Sequence, residues 1–395
     1  MTPRVLVTGF DLPHTGSAGS IVLYRLLSDW PADRILAIGP PPPPGSKRLD
    51  CEFVEFTPSF ERLNATRFRK ALLFARLSHL ISTGHVPVGG FKADIVLSVM
   101  SNLSHAMAAT AVAKRENIPL VWIVHDDPEE FNKTYNVGDA LARRKFREMY
   151  RAGASRLCVS SELESTLSSR YGAPGLTMYP LRSETLKARS PTQNANLKNR
   201  EYLTIGYAGA LSYGYGLRLI EMAPLLRSAK AKVIIYGSSL ETAECSDVLI
   251  SQGRLPTPEE AWERIKGECD AVLLPYCYAN HGHASLLQTH FPSKLVEYLA
   301  LGMPVVVTGP DYATGVKWAQ RNRDCCVLVT EQDGRELVEA LTQLREKPEL
   351  RVRLGERAII AGTKEFDPRS IKTAFARHLR EVTKGEATCL SKVCE

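Results

Sequence analysis

Residues 291–310 read F-P-S-K-L-V-E-Y-L-A-L-G-M-P-V-V-V-T-G-P, a short helical pattern followed directly by an apolar strand pattern. Pro292 suits the start of the helix, because the first turn does not need its missing N–H group. Gly302 suits the position just after the helix, and Pro304 prevents its continuation. Residues 305–308 then predict a buried strand. A helix followed within a few residues by a buried strand is typical of α/β sheets.

The polar side of this predicted helix carries Lys294, Glu297 and Tyr298, which the helical wheel places away from the apolar side. The first turn of a helix presents N–H groups and partial positive charge, so Lys294 beside it makes an anion site. Alternatively, Lys294 and Glu297 form an i,i+3 ion pair, worth roughly 0.3 kcal/mol on a solvated face. From periodicity alone the ion pair is the favoured interpretation.

Short apolar runs alternate with amphipathic segments along the whole chain, which predicts parallel sheets with helices on both faces. The strands predicted in the first half are 5–8, 34–38, 53–56, 94–99, 120–125, 156–160 and 176–179. The helices predicted between them are 18–29, 59–82, 103–116, 138–152 and 161–171. A second series of strands begins at Leu203 and continues at 232–236, 248–251, 271–274, 305–308 and 326–329. The expected fold class is therefore α/β, with two doubly wound domains.

The composition is that of a soluble globular protein, with 44% hydrophobic and 24% charged residues in a chain of 395. The formal charge of +7 is spread among acidic residues rather than gathered in blocks, so we expect no nucleic-acid partner. Arg67, Arg69, Lys70 and Arg76 alternate with leucines. They predict either a solvated helix face or an amphipathic helix on anionic lipid.

We expect a cytoplasmic protein. The N-terminal apolar run is too short for a secretory leader, and no run reaches the ~18 residues of a membrane span. Nine cysteines without C-x-x-C spacing predict reduced thiols.

The pattern P-S-K-L-V-E-Y-L-A-L-G-M-P-V-V at 292–306 resembles the donor-binding segment of the family 4 glycosyltransferases. Residues 333–380 are similar to the C-terminal helices of that family, and residues 155–171 and 248–256 resemble two further segments. The likeness covers the C-terminal half well and the N-terminal half loosely. It implies the GT-B fold, in which two Rossmann-like domains face a cleft.

The resemblance also implies how the domains divide the work. We expect an N-terminal acceptor-side domain over residues 1–182 and a nucleotide-sugar-binding domain over 201–366. Residues 183–200 are polar and aperiodic, which predicts a linker between them. Residues 367–380 are expected to form a helix that crosses back to the N-terminal domain, and 381–395 a polar tail.

The resemblance assigns roles to residues of the second domain. It implies that Glu297 binds the ribose hydroxyls of the sugar nucleotide. The preceding turn, with Pro292 and Ser293, is expected to meet the diphosphate. Lys294 is expected to neutralise that diphosphate as it leaves, and Gly209 to lie in a donor-binding loop.

In the first domain the resemblance points to a glycine-rich loop and a histidine. Gly16 and Gly19 follow the first strand, where small residues let backbone amides approach a phosphate or sugar closely. His125 ends an apolar strand, and the resemblance implies that it reaches the donor sugar and acts in catalysis. Asp126 either orients the imidazole or caps the next helix.

Three positions depart from the family pattern. Thr289 stands where many members carry the first acid of an E-x7-E pair, and we keep it as a donor-binding residue. Ala210 and Tyr215, in G-A-L-S-Y-G-Y-G, replace the basic pair usually placed against the diphosphate. Lys294 and the helix amides must then stabilise more of the leaving charge, or the protein does not catalyse.

A loop containing Cys277, His281, His283 and His290 makes a zinc site an alternative. Its spacing matches no common zinc pattern, so we expect these side chains to line a loop over the donor. The sequence contains no D-x-D motif, which agrees with the metal independence usual in this fold. We expect no metal ion and no cofactor.

Together these observations predict a glycosyltransferase that moves a sugar from a nucleoside-diphosphate sugar to a glycan, lipid-linked or small-molecule acceptor. The resemblance implies a retaining reaction. Two alternatives belong to other classes: a GT-B-shaped binding or partner subunit without turnover, and a GT-B sugar-nucleotide epimerase. Peripheral contact with the inner face of a membrane is compatible with the basic charge.

Overall fold

The computed structural model describes residues 2–57, 86–132, 139–190, 201–240, 243–278 and 284–386. The chain divides into two compact units, one of Met1–Leu181 with Arg369–Glu395 and one of Arg182–Pro368. No helix within the described ranges is long and apolar enough to cross a lipid bilayer.

The first unit contains seven strands: β1 (Val5–Thr8), β2 (Ile35–Gly39), β3 (Glu52–Glu55), β4 (Ile95–Val99), β5 (Leu120–Val124), β6 (Ser155–Cys158) and β7 (Leu176–Thr177). They form one parallel sheet in the order β3-β2-β1-β4-β5-β6-β7, with Val5 paired to both Ile35 and Ile95. The strands β1, β2, β4 and β5 are buried along their whole length. Continuous apolar sequence is what a parallel strand covered on both faces requires.

The helices of this unit in the first part of the chain are α1 (Ala18–Leu26), α2 (Leu103–Glu116), α3 (Pro128–Asn132), α4 (Asp139–Ala152) and α5 (Ser161–Tyr171). Helices were predicted near four of these five positions. The helix predicted at 59–82, with its basic residues from Arg67 to Arg76, lies outside the described residues.

The second unit contains six strands: β8 (Leu203–Gly209), β9 (Ala231–Gly237), β10 (Leu249–Gly253), β11 (Ala271–Pro275), β12 (Val305–Thr308) and β13 (Cys326–Val329). They form a parallel sheet in the order β10-β9-β8-β11-β12-β13. Its helices are α6 (Tyr215–Ser228), α7 (Pro258–Glu268), α8 (Ala284–Leu287), α9 (Ser293–Ala300), α10 (Thr314–Arg321), α11 (Arg335–Glu346) and α12 (Pro348–Phe366). Strands thus occur at every predicted position in both units, with ends that differ by a few residues.

The last helix, α13 (Pro368–Thr383), belongs to the first unit apart from its first residue. Ile371, Phe375 and Leu379 are buried in the hydrophobic core of that unit. His378 on the same helix lies 2.7 Å from the hydroxyl of Ser155, measured from Nε2 to Oγ. The C-terminal helix therefore completes a core that the N-terminal strands begin.

The strand order of each sheet reverses beside the first strand of its unit. β1 lies between β2 and β4, and β8 lies between β9 and β11. Open parallel sheets bind ligands outside the carboxyl ends of their strands, at such points of reversal. In the second unit, the loops that follow β8 and β11 are therefore the first place to look for a site.

Part of the predicted linker is packed into the second unit. Ser183, Leu186 and Arg189 are buried, and the N–H group of Arg189 donates to the carbonyl of Leu301 at 2.8 Å. The Arg189 guanidinium also donates from Nε to the carbonyl of Lys266 at 3.0 Å. A polar, aperiodic segment can be held by main-chain hydrogen bonds, which a periodicity argument does not detect. Residues 191–200 lie outside the described residues.

Helix α9 is supported by α12, which packs across its C-terminal end. Gly302 follows α9 with a φ of 70°, the position that the sequence predicted for it. A Cβ atom on Gly355 would overlap the carbonyl oxygen of Gly302, and one on Gly362 would lie 2.8 Å from Cβ of Leu299. Glycine in α12 is thus what allows the two helices to approach so closely.

We expect Gly355→Ala to lower the free energy of unfolding by about 1–3 kcal/mol, because the added methyl group collides with backbone. The higher helix propensity of alanine, about 1 kcal/mol, does not offset this collision. Gly267→Ala in α7 is the matched control, since a Cβ there meets nothing within 4 Å. The control should be neutral or stabilising by up to about 1 kcal/mol in urea denaturation. Equal effects of the two substitutions would contradict the close approach.

Candidate functional site

The loop after β8 brings backbone amides to the reversal point of the second sheet. Gly209 ends β8 with a φ of 119°, a value that strongly favours glycine. Tyr213 and Gly214 also have positive φ values, 58° and 81°. Gly214 is the N-cap of α6 and supplies no side-chain hydrogen bond. The first amides of α6 are therefore available at the end of a strained loop.

A second helix begins nearby in sequence to the predicted donor segment. α9 starts at Ser293, which is exposed, and its N-cap is Pro292, which is buried and makes no side-chain capping bond. Pro292 thus lies just before the first turn. The N-terminus of α9 carries partial positive charge that no capping side chain neutralises.

The side chain of Lys294 links these two features. A Cβ on Gly209 would lie 2.7 Å from Cε of Lys294, so the lysine stem lies directly against the end of β8. Its Nζ lies 5.5 Å and 4.9 Å from the ring centroids of Tyr207 and Tyr215. Lys294 has no carboxylate partner among the described residues. Burial lowers its pKa from 10.5 to about 8.

Glu297 is buried, with 6% of its surface exposed. Its Oε2 accepts a hydrogen bond from the N–H group of Ser183 at 3.4 Å. The alternative of an exposed ion pair between Lys294 and Glu297 on a solvated face is therefore wrong. The two residues share a helical turn, but Lys294 contacts aromatic rings and Glu297 contacts the segment before β8.

Tyr298 corrects the helical wheel. The sequence placed it on the outward side, but its side chain is fully buried. Its hydroxyl accepts from the N–H group of Ala208 at 3.3 Å, and its ring meets Trp262 edge-on at 5.8 Å. Both β8 and α7 cover this helix, so its polar side is enclosed as well as its apolar side.

The three departures from the family pattern have these surroundings. The hydroxyl of Thr289 is buried and donates to the carbonyl of Leu286 at 3.3 Å, within its own turn. The carbonyl of Ala210 accepts from the Tyr207 hydroxyl at 2.5 Å. Tyr215 is buried, and its ring is the one closest to the Lys294 ammonium. A cation thus lies beside position 215, supplied by another helix.

Two members of the Cys/His loop contact the same residue. Cys277 donates from Sγ to the carbonyl of Tyr213 at 3.3 Å, and the His290 ring lies 5.6 Å from the Tyr213 ring. His281 and His283 lie outside the described residues. Across the described part of the chain, no three His, Cys, Asp or Glu side chains come together as a group that could hold a metal ion.

In the first unit the glycine-rich loop is packed rather than open. A Cβ on Gly16 would overlap Ser46, and one on Gly19 would lie 2.7 Å from Oδ1 of Asp11. Sequence analysis missed Asp11, which is buried after β1 at the start of α1. Three hydroxyls donate to its carboxylate, those of Ser17, Ser20 and Ser101. The signal was present in the sequence as an acid six residues before a serine N-cap.

His125 follows β5 directly and is partly exposed. The residue that caps the next helix is Asp127 and not Asp126. Asp127 is buried, accepts from the N–H group of Glu129 at 3.0 Å and pairs with Arg170 at 2.8 Å. The proline at the first position of α3 fixes this register, because the cap must directly precede it. Asp126 has contacts of its own.

The predicted site residues therefore fall into two sets. The second unit brings Lys294 and Gly209 into contact beside the start of α6, with Glu297 one turn further along α9. The first unit holds Gly16, Gly19 and His125 after its own strands.

A cavity of about 580 Å³ lies elsewhere in the second unit, between β13, α11 and α12. Its lining includes Arg323, Cys326, Glu336 and Arg353, and none of the predicted site residues. It lies at the edge strand of the sheet and not at the reversal point, so we do not assign the candidate site to it.

Residues 189–360 match the protein family described as glycosyl transferases group 1. This part of the chain is a glycosyltransferase group 1 domain. The group 1 domain extends from the packed segment before β8 into α12, and it contains Gly209, Lys294 and Glu297. The comparison with curated proteins found no match.

Three solved structures resemble the chain over nearly its whole length. HepE from Anabaena, in complex with UDP and glucose, covers 96% of this chain and 100% of its own, with 15% identity and a TM-score of 0.64. Sucrose-phosphate synthase from Thermosynechococcus elongatus covers 98% and 100%, with 12% identity and a TM-score of 0.69. WaaG, a glycosyltransferase involved in lipopolysaccharide biosynthesis, covers 95% and 98%, with 14% identity and a TM-score of 0.60.

These likenesses show the fold. The prediction of the GT-B fold, with two doubly wound α/β units, is confirmed. The prediction of a glycosyltransferase is confirmed by the group 1 domain. Membership of family 4 and the roles of individual residues stay predictions.

Lys294→Met should make the pH dependence of stability flatter. The folded pKa is about 8 and the ordinary value is 10.5, so the folded protein binds fewer protons between these pH values. The wild type should therefore gain about 2 kcal/mol of unfolding free energy, relative to the variant, as pH rises from 7.5 to 10. Denaturant titrations at several pH values measure this gain. Lys364→Met, at an exposed position on α12, should show no such trend.

Proposed function

We propose that the chain transfers a sugar from a nucleoside-diphosphate donor to a glycan, lipid-linked or small-molecule acceptor. The observation that supports this most directly is the Lys294 ammonium, held without a carboxylate partner where β8, α6 and α9 meet. A desolvated cation beside two uncapped helix N-termini is suited to an anion that arrives and leaves. We further propose that the reaction retains anomeric configuration and needs no metal ion.

In the proposed reaction the bond between the anomeric carbon and the donor phosphate oxygen breaks. Its electron pair stays on the diphosphate, while the acceptor hydroxyl oxygen bonds to the anomeric carbon and loses its proton. Preorganised positive groups aimed at such a developing charge are commonly the largest protein contribution to catalysis. Lys294 and the amides of α6 and α9 fill that role in our proposal. A diphosphate would also restore the ordinary charge of a lysine whose pKa burial lowers to about 8.

Glu297 is proposed to bind the ribose of the donor. Its carboxylate is buried and held by the N–H group of Ser183, which fixes one oxygen. A carboxylate is acceptor-only, and two ribose hydroxyls are donors, so the chemistry is complementary. Charge-assisted bonds of this kind are stronger than neutral ones. Pro292, Ser293, Thr289 and Gly209 are proposed to shape the surrounding donor site.

The first unit is proposed to bind the acceptor and to bring His125 to the donor sugar. His125 directly follows a strand whose neighbours are β4 and β6, and it is partly exposed. Gly16 and Gly19 belong to the same proposal through the loop after β1. UDP-sugars are the first donors to test, because the HepE structures hold UDP or UDP-glucose.

A binding or partner subunit without turnover is the second candidate. It is favoured by Ala210, Tyr215 and Thr289, none of which offers the charge that the family usually places there. A sugar-nucleotide epimerase is a third candidate, since it would use the same donor site.

Purified protein should release UDP or GDP from a sugar nucleotide faster when a glycan or lipid-linked acceptor is present, and should do so in EDTA. Lys294→Ala should lower turnover by about 100-fold or more, because a transition-state charge loses its partner. Nucleotide binding without release would support the partner subunit, and interconversion of the donor sugar would support the epimerase. Full activity of Lys294→Ala would remove this lysine from the mechanism.

Glu297→Gln should weaken UDP binding by about 10- to 100-fold, because charge-assisted bonds to ribose become neutral ones. The melting temperature should change little, since the amide oxygen of glutamine can still accept from Ser183. Calorimetric titration and thermal unfolding measure the two quantities. Glu356→Gln, at an exposed position on α12, is the matched control. Unchanged affinity in a folded Glu297→Gln protein would rule out the ribose contact.

A further inference from the structure

Arg218 is a buried arginine whose guanidinium is largely unsatisfied. It is the fourth residue of α6, and 3% of its surface is exposed. Nη1 lies 3.4 Å from Oε2 of Glu221, and the guanidinium carbon lies 4.8 Å from the ring centroid of Tyr278. Nε and Nη2 are buried without a hydrogen-bond partner among the described residues. No role was assigned to this residue from the sequence.

Two other buried arginines of the same unit show what a structural arginine looks like here. Arg351 donates from Nη1 to the carbonyls of Leu344 and Arg345, at 2.6 Å and 3.0 Å. Arg189 donates from Nε to the carbonyl of Lys266. Main-chain carbonyls satisfy these guanidinium groups, whereas the corresponding atoms of Arg218 find none.

Burying N–H donors of a cation without acceptors destabilises a protein, and an apolar side chain of similar length would pack at lower cost. Stability therefore does not explain Arg218. A guanidinium presents its donors in a planar fork that matches the oxygens of phosphate. The unsatisfied pair of Nε and Nη2 is one side of such a fork.

The position of Arg218 adds a second feature. It lies in the first turns of a helix of 14 residues whose N-cap, Gly214, provides no capping side chain. Long helical side chains lean toward the helix N-terminus, which places the guanidinium toward the free amides. The ring of Tyr215, in the same turn, also contacts the Lys294 ammonium. Two cations from different helices thus lie at the start of α6.

We propose that Arg218 and the N-terminus of α6 bind the diphosphate of the donor. Arg218 would then supply the positive charge that Ala210 and Tyr215 lack, from one turn further along the helix. This inference rests on the proposed function and names a residue of its donor site. Glu221 orients the guanidinium through Nη1 and leaves the other two nitrogens for the ligand.

The test uses the full chain and two probes, inorganic pyrophosphate and UDP, in calorimetric titrations. Arg218→Met should weaken the binding of both by about 10- to 100-fold, as expected for lost charge-assisted hydrogen bonds. Its melting temperature without ligand should equal or exceed that of the wild type. Arg227→Met is the control on the same helix, because Arg227 is exposed and pairs with Asp247 at 2.7 Å. It should bind both probes as the wild type does.

Arg218→Lys keeps the charge and the stem but not the fork, so it should bind pyrophosphate with intermediate affinity. It serves as the second variant if Arg218→Met does not fold. Unchanged pyrophosphate affinity in either folded variant would overturn the inference, as would a wild type that does not bind pyrophosphate. Pyrophosphate binding that depends on Arg218, in a protein that never releases nucleotide from any donor, would support the site and count against the enzyme. Normal UDP binding and turnover in Arg218→Met would have the opposite meaning.

Discussion

The structure of the second unit depends on how it holds a lysine ammonium away from water without giving it a carboxylate. Lys294 lies against the end of β8 because residue 209 is glycine, and its charge faces the rings of Tyr207 and Tyr215. Aromatic faces attract a cation, but they compensate only part of its lost hydration. The depressed pKa is the measure of what remains uncompensated.

That arrangement requires a rigid helix beneath it. Gly302 ends α9, Gly355 lets α12 approach that end, and the carbonyl of Leu301 accepts from Arg189. The same segment before β8 supplies the N–H group of Ser183 to Glu297. The side chains of one short helix are thus fixed by contacts at its far end, which is how a scaffold positions groups that meet a ligand.

Much of the fold was predictable from the sequence, because buried parallel strands have continuous apolar sequences and helix ends carry recognisable residues. Gly302 and the limits of α2 and α5 are examples. The environment of the site was less predictable. Tyr298 is buried because a helix wheel shows one face and α9 is covered on two. Asp11, Asp127 and Arg218 were missed because their partners lie in other elements, and no local pattern announces a contact between distant residues.

The return of α13 to the first unit affects how the protein folds during its synthesis. Ile371, Phe375 and Leu379 complete a core whose strands were made first, and all of the second unit is translated in between. Contacts this distant in sequence form late, since the ends of a long loop must meet. The N-terminal unit therefore emerges from the ribosome with an unfilled core and becomes complete only when translation ends. The second unit, which is continuous in sequence, is free to fold first.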